Sequence, residues 1–434
     1  MENFDLSAYQ ARTAWYQKAR FGLFIHWGLY AIPARGEWLR SNERISKEDY
    51  RPYFQEFTAA NFEPGLWAKK AKAAGFQYVV FTAKHHDGFC LFDSAYTDFK
   101  STKTPFGRDA VAEVLEAFRE VGIKVGLYYS IIDWHHDHYP HFGDRHHPMR
   151  DNPDFKDHQY DFDTYLDYMH KQVLELVSNY GQLDILWFDF AYDDLNAQAF
   201  KGQELVEQVR QLQPQVIINN RLEASGEGFG SLIEAKPGLT SGDFVSPEQI
   251  IPPKGIFNIK GERVLWESCI TLNDHWGYVS NDHNFKSSKL IIRKLVETVS
   301  KGGNLLVNVG PNALGEIPKE SALILEEIAA WMKYNQESVI ATGPADLDKP
   351  EFGYITQKGK ALYYHVFDEI IGYLPLSGLK PKQIEKVRLL VDGSELLIEK
   401  NWITNNYPDL SFVRLGSKAT LVDPVDTVVK VYTK

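Results

Sequence analysis

The chain has 434 residues and a formal net charge of −11, with its acidic residues dispersed rather than blocked. That balance argues against nucleic acid or an anionic membrane as a partner, and no apolar run approaches the length of a membrane span. The length suffices for a full barrel plus one smaller domain.

The N-terminal stretch Met1-Glu2-Asn3-Phe4-Asp5-Leu6-Ser7 has no basic start and no apolar h-region. No signal peptide is expected from it, and the protein reads as cytoplasmic. The first strand-like run, Phe21-Gly22-Leu23-Phe24-Ile25, leads into His26-Trp27-Gly28. A helix-like segment follows from Pro64 to Ala74, and then Tyr78 to Thr82 leads into Lys84-His85-His86-Asp87-Gly88. After a second amphipathic segment, Asp109 to Glu120, the run Lys124 to Ser130 leads into Asp133-Trp134-His135-His136. A third, Tyr165 to Tyr180, precedes Leu183-Asp184-Ile185-Leu186-Trp187-Phe188-Asp189-Phe190. Val216 to Asn220 leads to Arg221, and Gly303 to Gly310 closes the series before a last helix near Lys319 to Asn335. Strand, polar loop, helix, strand is the rhythm of a (β/α)8-like, TIM-type barrel, placed over residues 1–340.

The run from Leu183 to Phe190 is the most telling. Six of its eight residues suit a strand buried on both faces, yet Asp189 sits near its end. A buried carboxylate costs several kcal/mol unless something pairs with it or uses it. Trp187 lies two residues away, so the indole and the acid share one face. Barrel enzymes keep their chemistry at the carboxyl ends of such strands, so His26, His85, His86, Asp189 and Arg221 are expected to converge. The bland alternative for Asp189 is a cap on the following helix.

After Ala341-Thr342-Gly343-Pro344 the texture changes to short strand-like runs: Phe352 to Thr356, Ala361 to Phe367, Val387 to Val391, Ser394 to Ile398 and Thr427 to Val431. Gly, Pro, Asn and Asp turns separate them, so residues 341–434 read as a C-terminal all-β sandwich. Cys90 and Cys269 cannot build a disulfide framework and read as buried thiols. Aromatic residues make up 14%, with 10 Trp and 23 Tyr, which weakly favours stacking on apolar sugar faces.

Taken in order, these pieces resemble the α-L-fucosidases of glycoside hydrolase family twenty-nine. The resemblance is carried by Phe21 to Gly28, Gly36-Glu37-Trp38, Thr82 to Phe89, Leu127 to Ser130, Trp187-Phe188-Asp189 and Asn219-Asn220-Arg221. It continues through Gly242-Asp243-Phe244-Val245-Ser246-Pro247-Glu248, Asn273 to Tyr278, and Gly303 to Pro311. One departure is visible: the family's nucleophile strand often continues Asp-Gly, whereas Phe190 follows Asp189 here, a side chain able to narrow a neighbouring subsite.

The resemblance implies an exo-acting, retaining hydrolysis of terminal α-L-fucosyl residues from glycans or glycoconjugates, without metal or organic cofactor. Asp189 would be the nucleophile. A second carboxyl group, roughly 5–5.5 Å away, must protonate the leaving oxygen and then deprotonate water. Candidates are Glu248, Glu234 and Glu267, and Glu248 is preferred because it falls in the segment matching the family's acid/base loop. Arg221 would keep Asp189 ionised. His26, Glu37, His85, His86 and Tyr128 would bond the sugar hydroxyls, with Trp38, Trp187 and Trp276 as the apolar wall. Ordinary core packing is the alternative for each Trp.

Three rivals remain at this level: a barrel hydrolase with a metal site, an inactive fucose-binding protein, and a glycosidase for another sugar. The metal reading rests on His85-His86 and on His135, His136, His138, His141, His146 and His147. It lacks a His-x-His at the end of the first strand and any Cys/His finger spacing. The segment His135 to His147 is expected to be a solvated loop near the leaving-group side. The number of subunits is left open, a homo-oligomer included.

Overall fold

The computed structural model describes residues 5–192, 194–400, 402–416 and 421–434. Met1 to Phe4, on which the reading of the N-terminus partly rests, lie outside the described residues. Seven strands form one parallel sheet: β1 Phe21–Ile25, β2 Tyr78–Lys84, β3 Lys124–Ser130, β4 Ile185–Asp189, β5 Ile217–Ile218, β6 Glu267–Thr271 and β7 Asn304–Val309. Their order is β5-β4-β3-β2-β1-β7-β6, with β1 in parallel register against both β2 and β7. Nearly every strand residue is buried, as a sheet covered on both faces requires.

The expected eight-stranded barrel is met only in part, because no eighth regular strand joins β5 to β6. The segment 243–248 occupies that place instead. It touches its neighbours through isolated parallel bridges, Asn219 with Phe244, Val245 with Trp266 and Glu248 with Cys269. Full closure by a continuous ladder is therefore absent among the described residues. β5 is also shorter than the run Val216 to Asn220 suggested. Asn219 uses its side chain in place of the ladder, accepting from the Phe188 N–H (2.9 Å) and donating to the Phe188 carbonyl (2.8 Å).

Two apolar layers result. Inside the strands lie Phe24, Tyr78, Val80, Tyr128, Ile185, Trp187, Ile217, Phe244, Cys269 and Leu306, with Tyr16 and Ala19 at the amino-terminal end. Outside, helices Pro64–Ala73, Ala110–Glu120, Phe162–Asn179, Gly202–Leu212, Ser288–Ser300 and Lys319–Asn335 pack their apolar stripes onto the sheet. Their starts are chemically marked. Asp109, Asp161 and Ser287 each accept a hydrogen bond from a first-turn N–H, and Pro64 takes the first helical position. The Asp161 cap explains why the third helix begins at Phe162 rather than at Tyr165.

Beyond the last helix the strands are antiparallel. β8 Gly343–Pro344, β9 Gly353–Lys358, β10 Ala361–Val366, β12 Ile384–Leu389 and β14 Thr427–Thr433 form a sheet in the order β12-β14-β10-β9-β8. β11 Leu374–Leu376 and β13 Ser411–Val413 form a separate pair. The arrangement is consistent with a barrel followed by a sandwich. The run Ser394 to Ile398 is not a strand; Glu395 and Ile398 make only single bridges, to Arg388 and Val413.

Candidate active site

A pocket of about 400 Å³ opens at the carboxyl ends of the parallel strands, lined by Phe24, His26, Trp38, His85, His86, Tyr128, Trp187, Asp189, Phe190, Glu248, Cys269 and Trp276. Its walls come from β1, β2, β3, β4 and β6 or the loops after them, and from the irregular segment 243–248. Nine of the residues predicted from the sequence for the site meet there, together with Phe190. Arg221 and Glu37 stand behind the wall, both buried.

Asp189 ends β4 with its carboxylate held by two donors. The Tyr128 hydroxyl donates to Oδ2 (2.9 Å) and Arg221 Nη1 to Oδ1 (3.0 Å). Arg221 Nη2 reaches Glu248 Oε2 at 3.0 Å, so one planar fork spans both carboxylates. The rest of the guanidinium is also fixed: Nε donates to Ser246 Oγ, Nη2 to the Ser246 carbonyl, and the Trp187 ring lies 4.9 Å from its centre. Asn220 sets Ser246 in turn, its Oδ1 accepting from both the Ser246 N–H and hydroxyl. The Asn219-Asn220 pair that precedes Arg221 thus acts as two side-chain substitutes for backbone pairing. Burial pushes the Asp189 carboxyl up to about 6, against the pull of Arg221 and Tyr128 and with a further push from Glu248.

Three histidines face the pocket in neutral form. Burial depresses His26 to about 3, and holds His85 and His86 well below the ordinary range. Asn308 donates through its amide nitrogen to the Trp276 carbonyl, so its Oδ1 accepts from His26 Nδ1 (2.7 Å). The Ser130 hydroxyl donates to the Ile132 carbonyl, so its oxygen accepts from His86 Nδ1 (2.7 Å). In each ring this hydrogen-bond network assigns the proton to Nδ1 and leaves Nε2 as an acceptor. His86 Nε2 lies 3.9 Å from Asp189 Oδ2, so two acceptors face each other across a gap. His85 stacks on Tyr128, and its buried Nδ1 has no hydrogen-bond partner among the described residues.

The other carboxylates sort by their contacts. Glu267 is fully buried and holds three donors, the Tyr16 and Tyr78 hydroxyls on Oε2 and the Trp187 indole N–H on Oε1. Burial pushes its carboxyl up to about 7. With both oxygens occupied below the pocket floor, it orients Trp187. Glu234 is exposed, follows a short 3-10 turn, and does not reach the pocket. Asp243 is buried and bridges Arg12, Arg210 and the Ile218 N–H, which ties segment 243–248 to β5. Glu37 accepts from the Gly277 N–H (2.7 Å), fixing the loop that carries Trp276, and burial pushes its carboxyl up.

Several contributors were missed from sequence: Ser130, Ser246 and Asn308, which orient the machinery, and Phe24 and Cys269 in the wall. Both thiols are buried, as expected. The expectation of a solvated histidine loop is corrected. His141 and His147 are buried, and His135 stacks on Phe99. Of that segment's histidines, His146 comes next to the pocket wall, against Trp38 and Phe190. Among the described residues no group of three or more His, Cys, Asp or Glu is arranged to hold a metal ion.

Two backbone positions matter. Gly226 packs over the fork, where an added Cβ would stand 2.7 Å from both Arg221 Nη2 and Glu248 Oε2. Gly226→Ala is therefore expected to lower kcat/KM about 10²-fold by displacing the pair, with little change in melting temperature. Unchanged kinetics in that variant would mean the Arg221–Glu248 contact is not used. Phe190 has φ +91°, a left-handed conformation that costs a bulky residue roughly 1–3 kcal/mol.

A parallel β/α sheet thus carries at its strand ends a pocket in which two carboxylates share one arginine among neutral histidines and indoles, an arrangement suited to glycoside hydrolysis. The α-L-fucosidase family model matches residues 2–337. The human plasma α-L-fucosidase is 30% identical, over 93% of this chain and 88% of its own length. α-L-Fucosidase isoenzyme 1 from Paenibacillus thiaminolyticus has a TM-score of 0.95 and 53% identity, covering 98% of this chain and all of its own. An α-L-fucosidase from Bacteroides thetaiotaomicron, trapped as a covalent intermediate with 2-fluoro-fucosyl fluoride, has a TM-score of 0.83 and 27% identity, covering 100% of this chain and 98% of its own. The chain belongs to the α-L-fucosidase family.

Proposed function

We propose that this glycoside hydrolase removes terminal α-L-fucosyl residues by double displacement, with Asp189 as nucleophile and Glu248 as acid/base. The observation that carries this reading is the Arg221 fork, which places both carboxylates on one guanidinium at the pocket. In the first half-reaction Asp189 forms a bond to the anomeric carbon while Glu248 gives its proton to the departing oxygen. In the second, Glu248 takes a proton from water, whose oxygen displaces Asp189 and restores the original anomeric configuration.

The remaining groups suit a sugar lacking charge. The Nε2 atoms of His26 and His86 accept from hydroxyls, each hydroxyl giving its one proton to one ring nitrogen. Phe24, Trp187 and Trp276 give an apolar surface suited to a 6-deoxy sugar, whose methyl needs no hydrogen-bond partner. Glu37 acts through the Trp276 loop.

The initial rate on 4-nitrophenyl α-L-fucoside tests the reading, beside β-L-fucoside and α-D-galactoside controls and with EDTA. Turnover of the α-L-fucoside alone, unaffected by the chelator, is expected. Absence of turnover, or its loss with EDTA, would return the histidines to the metal reading. The pH profile has a stated sign as well. Asp189 must be ionised to attack and its carboxyl is raised to about 6, so kcat/KM is expected to fall as pH drops through about 6. An acid limb near the ordinary carboxylate value would contradict the raised Asp189 carboxyl.

A further inference from the structure

We infer that Phe190 is a specificity-determining residue, a fixed aromatic wall that ends the pocket at an unsubstituted terminal sugar. The inference rests on the fucosidase reading and adds to it the range of sugars the pocket admits. The first observation is the backbone: φ of +91° at Phe190 is a conformation natural to glycine and unfavourable to a residue bearing a Cβ. A strained aromatic stands directly after Asp189 against that preference, and its ring lines the pocket.

The second observation is the bracing. The Phe190 ring meets His86, Trp38, His146 and Tyr192 with centroids 4.6, 5.2, 5.0 and 5.4 Å away. These neighbours come from four separate loops, after β1, β2, β3 and β4. Tyr192 is itself latched, its hydroxyl bonded to the Asp144 carboxylate, which also accepts from the N–H groups of His146 and His147. A ring held from these sides cannot swing clear as a lid would. It closes the pocket beside His86, where a sugar hydroxyl is expected to bond, and leaves that hydroxyl no room for a substituent.

The test uses Phe190→Ala, which removes the ring and keeps the strained Cβ, and Phe190→Gly, which removes both. Each is compared with the parent on 4-nitrophenyl α-L-fucoside and on its three mono-O-methyl ethers, at O2, O3 and O4. The parent's rate on the unsubstituted fucoside tests the fucosidase reading separately. At one or more of the three positions, the ratio of kcat/KM for the ether to that for the parent sugar is expected to rise at least about tenfold in both variants. Inhibition by the corresponding free methyl ethers of L-fucose reads the same change without requiring turnover by the variants, and is expected to tighten alongside. Ratios and inhibition constants within twofold of the parent at all three positions would overturn the wall. The strain has its own readout: Phe190→Gly is expected to melt above Phe190→Ala, the reverse of the usual order. An alanine variant melting above the glycine one would overturn the use of strain as a sign of function.

Discussion

Replacing Asp189 by alanine is expected to abolish fucoside hydrolysis, lowering kcat on the order of 10⁴-fold or more, because no other group can form the covalent intermediate. The loss has a chemical signature. The missing side chain leaves room beside the anomeric carbon, and azide should enter it and displace an activated aryl leaving group in one step. One displacement inverts, so the product expected is the β-L-fucosyl azide. Arg221 then loses one partner and keeps Glu248, so the melting temperature is expected to change far less than the rate. Retention of more than about a hundredth of the parent kcat, or azide rescue giving the α-azide, would remove Asp189 from the nucleophile's role.

Glu248→Ala is expected to divide substrates by leaving group. An aryl fucoside with a good leaving group needs little protonation, so its kcat/KM should stay within about tenfold of the parent. Fucosylated oligosaccharides, whose departing oxygen needs the proton, should lose about 10²–10⁴-fold. Water also lacks its base in this variant, so the fucosyl-enzyme should accumulate after a burst. Azide needs no base and should restore turnover through a second displacement, giving the α-L-fucosyl azide. The opposite configurations expected from the two variants separate the roles of the two carboxylates. Equal losses on both substrate types would transfer the acid/base role elsewhere. Glu267 is then a poor heir, since Tyr16, Tyr78 and Trp187 already occupy it, and exposed Glu234 would need a large loop movement.

What the sequence made legible has a physical logic. Buried parallel strands are short apolar runs, and polar residues at their carboxyl ends stand out against them; β1, β3 and the strand ending at Asp189 are legible on that basis. His85-His86 after β2 and Arg221 after β5 follow the same rule. Segment 243–248 did not, because it pairs by isolated bridges and is tied down by Asp243 rather than by an apolar repeat. Ser130 and Asn308 were equally invisible: each is a common residue type inside a strand, and only the partner it orients gives it meaning. Glu37 illustrates the reverse case. Its motif grouped it with the sugar-binding residues, whereas its carboxylate is seated on the Gly277 N–H behind the wall. The inward packing of His141 and His147 was hidden because a polar, Pro- and Gly-rich sequence reads as solvated, whereas His141 stacks on Phe155 and Tyr160 beyond the segment and His147 packs on His141.

The most direct measurement is to incubate the enzyme with 2-fluoro-fucosyl fluoride, whose 2-fluoro group slows breakdown of the intermediate, and to locate the adduct by peptide mass mapping. A single 2-fluoro-fucosyl adduct on the peptide containing Asp189, formed with loss of the anomeric fluoride and with activity lost in step with labelling, is the expected result. An adduct on Glu248, Glu234 or Glu267, or continued turnover without a covalent adduct, would contradict the account.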